Sequence, residues 1–144
     1  MTTIKDIKHQ FMAFRNGIVA DTLRKAGLSF GIIFGLQLPQ LKKIAADIKA
    51  EYPDMKDLEF LAKELIADNN VRESRILGFA IMPADCLTYD KAVELCNGIL
   101  SREEADLLPF LLLRNTPLIP RLLDNAEIYG EFADYVKETL TRFL

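Results

Sequence analysis

The 144-residue chain has no tryptophan, one histidine (His9) and two cysteines (Cys86 and Cys96). So few nitrogen and sulfur ligands cannot assemble the usual four-ligand zinc site within one chain, so neither a structural metal nor a cofactor is expected. Histidine catalysis also lacks its partners. His9 lies in an amphipathic amino-terminal segment with no serine or cysteine nucleophile motif near it, and reads as a surface or packing residue. Both cysteines read as small buried hydrophobes. Long apolar runs are missing as well: the longest uncharged stretch, Leu28 to Leu41, is broken by Gly31, Gly35 and Pro39. It falls short of the roughly 20 apolar residues that span a bilayer, so no membrane segment is expected. The amino terminus mixes both charges without an apolar secretion-signal core, and a cytoplasmic location is the expectation. Positive charge is not in excess either. A net charge of −3 and a pI near 5.2 offer little long-range attraction to a phosphate polymer, so nucleic-acid binding would need a local basic strip.

What is present is helical periodicity. Leu41, Ile44, Ala45 and Ile48 form one stripe, Leu58, Leu61, Ala62 and Leu65 the next, and Ile128, Phe132, Tyr135, Val136 and Leu140 a third, whereas alternation of strand length is nowhere convincing. The expected fold class is all-α. Cap patterns (Ser101 with Glu104, Asn70 with Glu73, Asp124 with Glu127), helix-ending turns at Gly17 and Gly27, and Pro53, Pro83 and Pro117 in the gaps set the boundaries. They predict helices near 3–15, 17–26, 39–51, 55–68, 71–82, 88–100, 102–114 and 124–143. Helices starting near 39, 71 and 102 recur about every thirty residues, each with a partner, which suggests one domain over 1–144 built as a HEAT-like α-solenoid of antiparallel helix pairs; a compact orthogonal bundle is the other arrangement. The helices from 71 and from 102 are nearly apolar all round beyond their first turns and should be central, the latter kinked at Pro109.

Three segments carry a resemblance. Phe34, Gly35, Pro39, Leu41, Lys42, Lys43, Ile44 and Ala45 form an aromatic-Gly-x-x-x-Pro-x-Leu-basic-basic-Ile-Ala pattern. Arg72-Glu73-Ser74-Arg75 matches a His-Glu-x-Arg helix start with the histidine replaced, and Arg102 and Asp106 stand four residues apart where a tryptophan and an aspartate would share a helix face. Over roughly residues 30–114 the chain resembles the DNA alkylation repair family of HEAT-like DNA glycosylases. The resemblance implies binding of damaged duplex DNA and excision of alkylated purines, with Asp106 as the catalytic carboxylate and Lys42, Lys43, Arg72, Arg75 and Arg102 as DNA contacts.

Each assignment has a structural alternative. Asp106, in the first turn after Ser101, also gains from the helix dipole; Arg72 and Arg75 can pair with Glu73 or a neighbouring helix; Lys42 and Lys43 can form a solvated face. Glu127, Glu131, Asp134 and Glu138 suggest an acidic stripe turned away from nucleic acid. The competing function is a non-catalytic helical-repeat module that binds a protein partner or forms a homo-oligomer, to which the acidic balance and the missing tryptophans point.

Overall fold

Capping chemistry sets where the helices begin. A computed structural model describes residues 1–125 and 127–144, and the described residues are helical, with no strand longer than an isolated bridge. Thr3 caps α1 (Ile4–Ala13) and forms a reciprocal box with Asp6, while Asn16 caps α2 (Gly17–Lys25) through the amides of Ile18 and Val19. Gly17 therefore starts a helix and does not end one; Gly27, at φ +105°, makes the expected left-handed turn after α2. Pro39 lies in the first turn of α3 (Leu38–Glu51), Asp54 caps α4 (Met55–Ala67), and α5 runs Arg72–Ile81. Farther on come α6 (Tyr89–Asn97), α7 (Arg102–Leu111), α8 (Ile119–Asn125) and α9 (Ala133–Thr141), with short 3-10 turns at Ala84–Cys86 and Leu113–Asn115.

The last of the expected helices differs most. In place of one helix over 124–143 there are two, because Pro120 in the first turn starts α8 early and Gly130, at φ +100°, turns the chain before α9. Asp124 belongs to α8, so its expected capping role is not realised. Ala126, within the expected helix, lies outside the described residues. The supposed acidic stripe dissolves for the same reason: Glu127 and Glu131 precede α9, and Glu138 faces Arg142 one turn on at 3.3 Å.

The chain divides into two units, Met1–Ile81 and Met82–Leu144. In unit 1, α5 packs on α3 and α4 and every one of its ten residues is buried. Gly78 permits the close approach, since a Cβ there would sit 2.5 Å from Ile66 Cγ1 and 2.9 Å from the Ala62 carbonyl. Burying Ile76, Leu77, Phe79 and Ile81 is favourable by about 1.5–3 kcal/mol each. It also forces the charged first turn of α5 inside, where each polar group needs a partner.

Arg72 and Glu73 find theirs in the irregular segment 28–37 and Arg75 on Ile66 and Asn69, while the buried Ser74 hydroxyl has no hydrogen-bond partner among the described residues. Ile32 pairs with Val71 in a parallel bridge, its amide donating to Asn70 O at 2.9 Å and its carbonyl accepting from Arg72 N at 3.2 Å. Glu73 accepts from the amides of Phe34 (2.9 Å) and Gly35 (3.1 Å), and Arg72 Nη1 donates to Leu36 O (2.9 Å) and to Glu73 Oε2 (2.6 Å). Arg24 donates to the Phe30 and Gly31 carbonyls, and Asn16 N donates to Phe34 O at 2.8 Å. A loop with no ladder of its own thus has many of its backbone groups paired. Gly35 is required at its place: φ is +88°, and a Cβ would lie 2.1 Å from the Asn16 carbonyl oxygen.

In unit 2, α7 packs on α9, α9 on α8, and α6 on both α8 and α9. Ala92, Cys96, Ala105, Leu108, Leu122, Val136 and Leu140 form its core. The expected helix over 102–114 ends at Leu111, two residues past Pro109, and the chain continues as the 3-10 turn. Leu107, Phe110 and Leu111 are only half-buried, so α7 is less enclosed than α5. Asn97 fixes the chain beyond α8, donating to Glu127 O at 3.1 Å and accepting from Tyr129 N at 3.0 Å.

Candidate nucleic-acid interface

Unit 2 brings two expected site residues together and adds two that sequence reasoning missed. Ser101 caps α7, its hydroxyl accepting from Glu104 N at 3.1 Å, while the Glu104 carboxylate reaches back to Leu100 N at 3.1 Å. This fixes the first turn of α7, from which Arg102 and Asp106 project on one face, four residues apart. Pro109 has no amide proton to give the Ala105 carbonyl one turn earlier. The Thr139 hydroxyl of α9 lies 2.9 Å from that oxygen and 2.9 Å from the Val136 carbonyl of its own helix, so the acceptor that Pro109 leaves open shares the Thr139 proton and ties α9 beside Asp106. Thr139 is 1% exposed and water cannot replace it. Thr139→Val is therefore expected to lower stability by roughly 1–3 kcal/mol, through an orphaned buried carbonyl, in urea denaturation. A midpoint equal to wild type would refute the tie.

On the same side of α9, Tyr135 and Arg142 complete the cluster. The Tyr135 hydroxyl donates to Asp106, lying 2.9 Å from Oδ1 and 3.1 Å from Oδ2. Arg102 stacks its guanidinium on the Tyr135 ring, 4.4 Å from the centroid, and Arg142 Nη1 lies 3.7 Å from Asp106 Oδ1. The hydrogen bond to Asp106 raises the Tyr135 pKa above its ordinary value, helped by slight desolvation and the Asp106 charge and opposed by Arg102 and Arg142. The phenol therefore stays a donor. Asp106 is 46% exposed and open to solvent. The spacing of Tyr135, Thr139 and Arg142, four and seven residues, was visible in the sequence as one helix face; what it could not reveal was that this face meets α7.

The other expected contacts lie in unit 1 and divide sharply. Lys42 and Lys43 are exposed on α3, with Lys43 3.3 Å from Asp47. Arg72 and Arg75 are 5% and 4% exposed. Arg72 holds Leu36 O and Glu73; Arg75 holds Ile66 O and Asn69 Oδ1 and lies 5.9 Å from the Phe79 ring. Such burial presents no face to a phosphate, and the ion-pair alternative describes Arg72 in this structure.

Elsewhere the reactive side chains are quiet. Burial pushes the Cys96 thiol up to about 12, Cys86 is only partly buried, and His9 is exposed. Among the described residues no group of three His, Cys, Asp or Glu could hold a metal ion, and no helix is long and apolar enough to cross a membrane. Unit 1 carries twelve Lys and Arg against ten Asp and Glu, and unit 2 six against eleven. Unit 2 is therefore the more acidic of the two, and Arg102 and Arg142 are the basic residues gathered around Tyr135 and Asp106.

A family model described as DNA alkylation repair enzyme matches residues 7–102. The match takes in the loop and α5 and stops at Arg102, so Asp106, Tyr135 and Arg142 lie beyond it. Comparison with curated proteins and with solved structures finds no match.

Proposed function

Because the chain belongs to the DNA alkylation repair enzyme family, we propose that it binds duplex DNA carrying alkylated purines and excises them as a glycosylase, in the cytoplasm. The HEAT-like pairing of helices that the resemblance implies accompanies this reading. The observation that carries the assignment of the site is the Asp106 carboxylate held by Tyr135 between two arginines on α7 and α9.

A purine alkylated on a ring nitrogen is cationic, and its glycosidic bond is weakened. The C1′–N bond breaks with its electron pair leaving on the base, which departs neutral, and positive charge passes to the sugar. Asp106 stabilises that charge, and preorganised electrostatic stabilisation of this kind contributes most of the rate enhancement in many enzymes. Water adds its oxygen to C1′ and loses a proton to Asp106 or to solvent. Tyr135 is a positioning residue here: its hydroxyl fixes the rotamer of the carboxylate and leaves Asp106 lone pairs free to face the sugar. Arg102 and Arg142 are the phosphate contacts of unit 2, and Lys42 and Lys43 are separate contacts of unit 1.

Fluorescence anisotropy over a salt series tests the binding. Affinity for a duplex with an abasic analogue should exceed that for undamaged duplex, and log K should fall with log salt by roughly 0.9 per phosphate contact. Absence of duplex binding at low salt would dismiss the reading.

A further inference from the structure

Arg102 stands where a cation gains little from its own helix. As the first residue of α7 it sits at the positive end of the helix dipole, which disfavours a guanidinium. Among the described residues no carboxylate lies within ion-pair distance of it; its contact is the Tyr135 ring, 4.4 Å away. That ring is tethered through its hydroxyl to Asp106. An aromatic face joined to a carboxylate is a receptor for a flat cation: the ring supplies a negative quadrupole and the acid a full charge.

We propose that Arg102 is a built-in competitor, a guanidinium that covers the Tyr135 face in the free protein and vacates it for a cationic nucleobase. Guanidinium and an alkylated purine share planarity, delocalised positive charge and edge donors, so one face takes either. Arg102 is exposed and can leave without unpacking the core. A duplex phosphate gives it a stronger partner than a neutral ring, because a charge-assisted bidentate hydrogen bond forms there. Phosphate binding and opening of the cation subsite are thereby coupled, and a neutral base must displace Arg102 without the compensating charge. This makes Arg102 a specificity-determining residue that raises discrimination between cationic and neutral bases. The inference rests on the repair reading, but its test does not need excision.

The test titrates wild type, Arg102→Gln, Tyr135→Leu and Tyr135→Phe with 7-methylguanosine under mildly acidic conditions, where it is cationic, and with guanosine as the neutral control. Binding is followed by calorimetry and by the tyrosine ring resonances. If Arg102 covers the ring nine-tenths of the time, Arg102→Gln should bind 7-methylguanosine about tenfold more tightly than wild type. Guanosine affinity should change less. Tyr135→Phe keeps the ring and should keep the preference for the cationic nucleoside; Tyr135→Leu should lose it, also in the Arg102→Gln background. On undamaged duplex Arg102→Gln should reduce the salt slope by roughly 0.9. Unchanged or weaker binding of 7-methylguanosine by Arg102→Gln overturns the proposal, as does a preference that survives Tyr135→Leu. A nucleoside response without duplex binding would instead keep the competitor and remove the repair function.

Discussion

Glu73→Ala should destabilise unit 1 by about 3–5 kcal/mol, the usual cost of deleting one member of a buried ion pair. The Glu73 side chain is 0% exposed and Arg72 6%. Removing the carboxylate takes an ion-pair partner from an enclosed guanidinium, and it orphans the amides of Phe34 and Gly35. Each orphaned amide alone costs about 1–3 kcal/mol. Typical domains have only about 5–15 kcal/mol in hand, so a large drop in the urea midpoint is expected. Glu73→Gln, which keeps one acceptor, should fall between the two. A Glu73→Ala midpoint within experimental error of wild type would show that the loop is not held by this pair.

The second large effect is chemical. Asp106→Asn should lower the rate of release of an alkylated purine by about 10²–10³, the usual loss when one preorganised electrostatic group is removed from a transition state. Asparagine is isosteric and can still accept from Tyr135, so the link between α7 and α9 should survive, and thermal melting should stay close to wild type. Duplex affinity should hold or rise, because a negative charge near the backbone is removed. A mutant as active as wild type in single turnover would strip Asp106 of its catalytic role.

The two effects separate what the family pattern encodes. Phe34-Gly35 and Arg72-Glu73, more than thirty residues apart, are one device: the acid of the second segment binds the amides of the first. Sequence showed both segments and their charges but not that they meet, because a hydrogen bond between side chain and loop leaves no periodic trace. Arginine in a helix first turn reads equally well as a phosphate contact or as an ion pair, and burial decides between them. That burial follows from α5 being apolar along its remaining length, a feature which was legible.

Apolar stripes located α3 and α4 well and Gly27 marked the end of α2, since local chemistry fixes those ends. The carboxyl-terminal region was harder. No apolar stripe or cap pattern announces α8, which Ile119 starts with Pro120 in its first turn, and the stripe from Ile128 to Leu140 runs across Gly130, whose left-handed turn a count of apolar positions does not register. At the site, Arg102 and Asp106 were legible from their spacing, while Tyr135 was counted only as core. The aromatic missing from α7 is supplied by α9, which only the tertiary pairing reveals.

The most direct measurement is single-turnover release of an N-alkylated purine from a duplex oligonucleotide, with the abasic product read as alkaline strand scission at saturating protein. The account predicts scission well above the protein-free rate with wild type, and near that rate with Asp106→Asn although the mutant still binds. No release by wild type at concentrations that fully bind the duplex would contradict it.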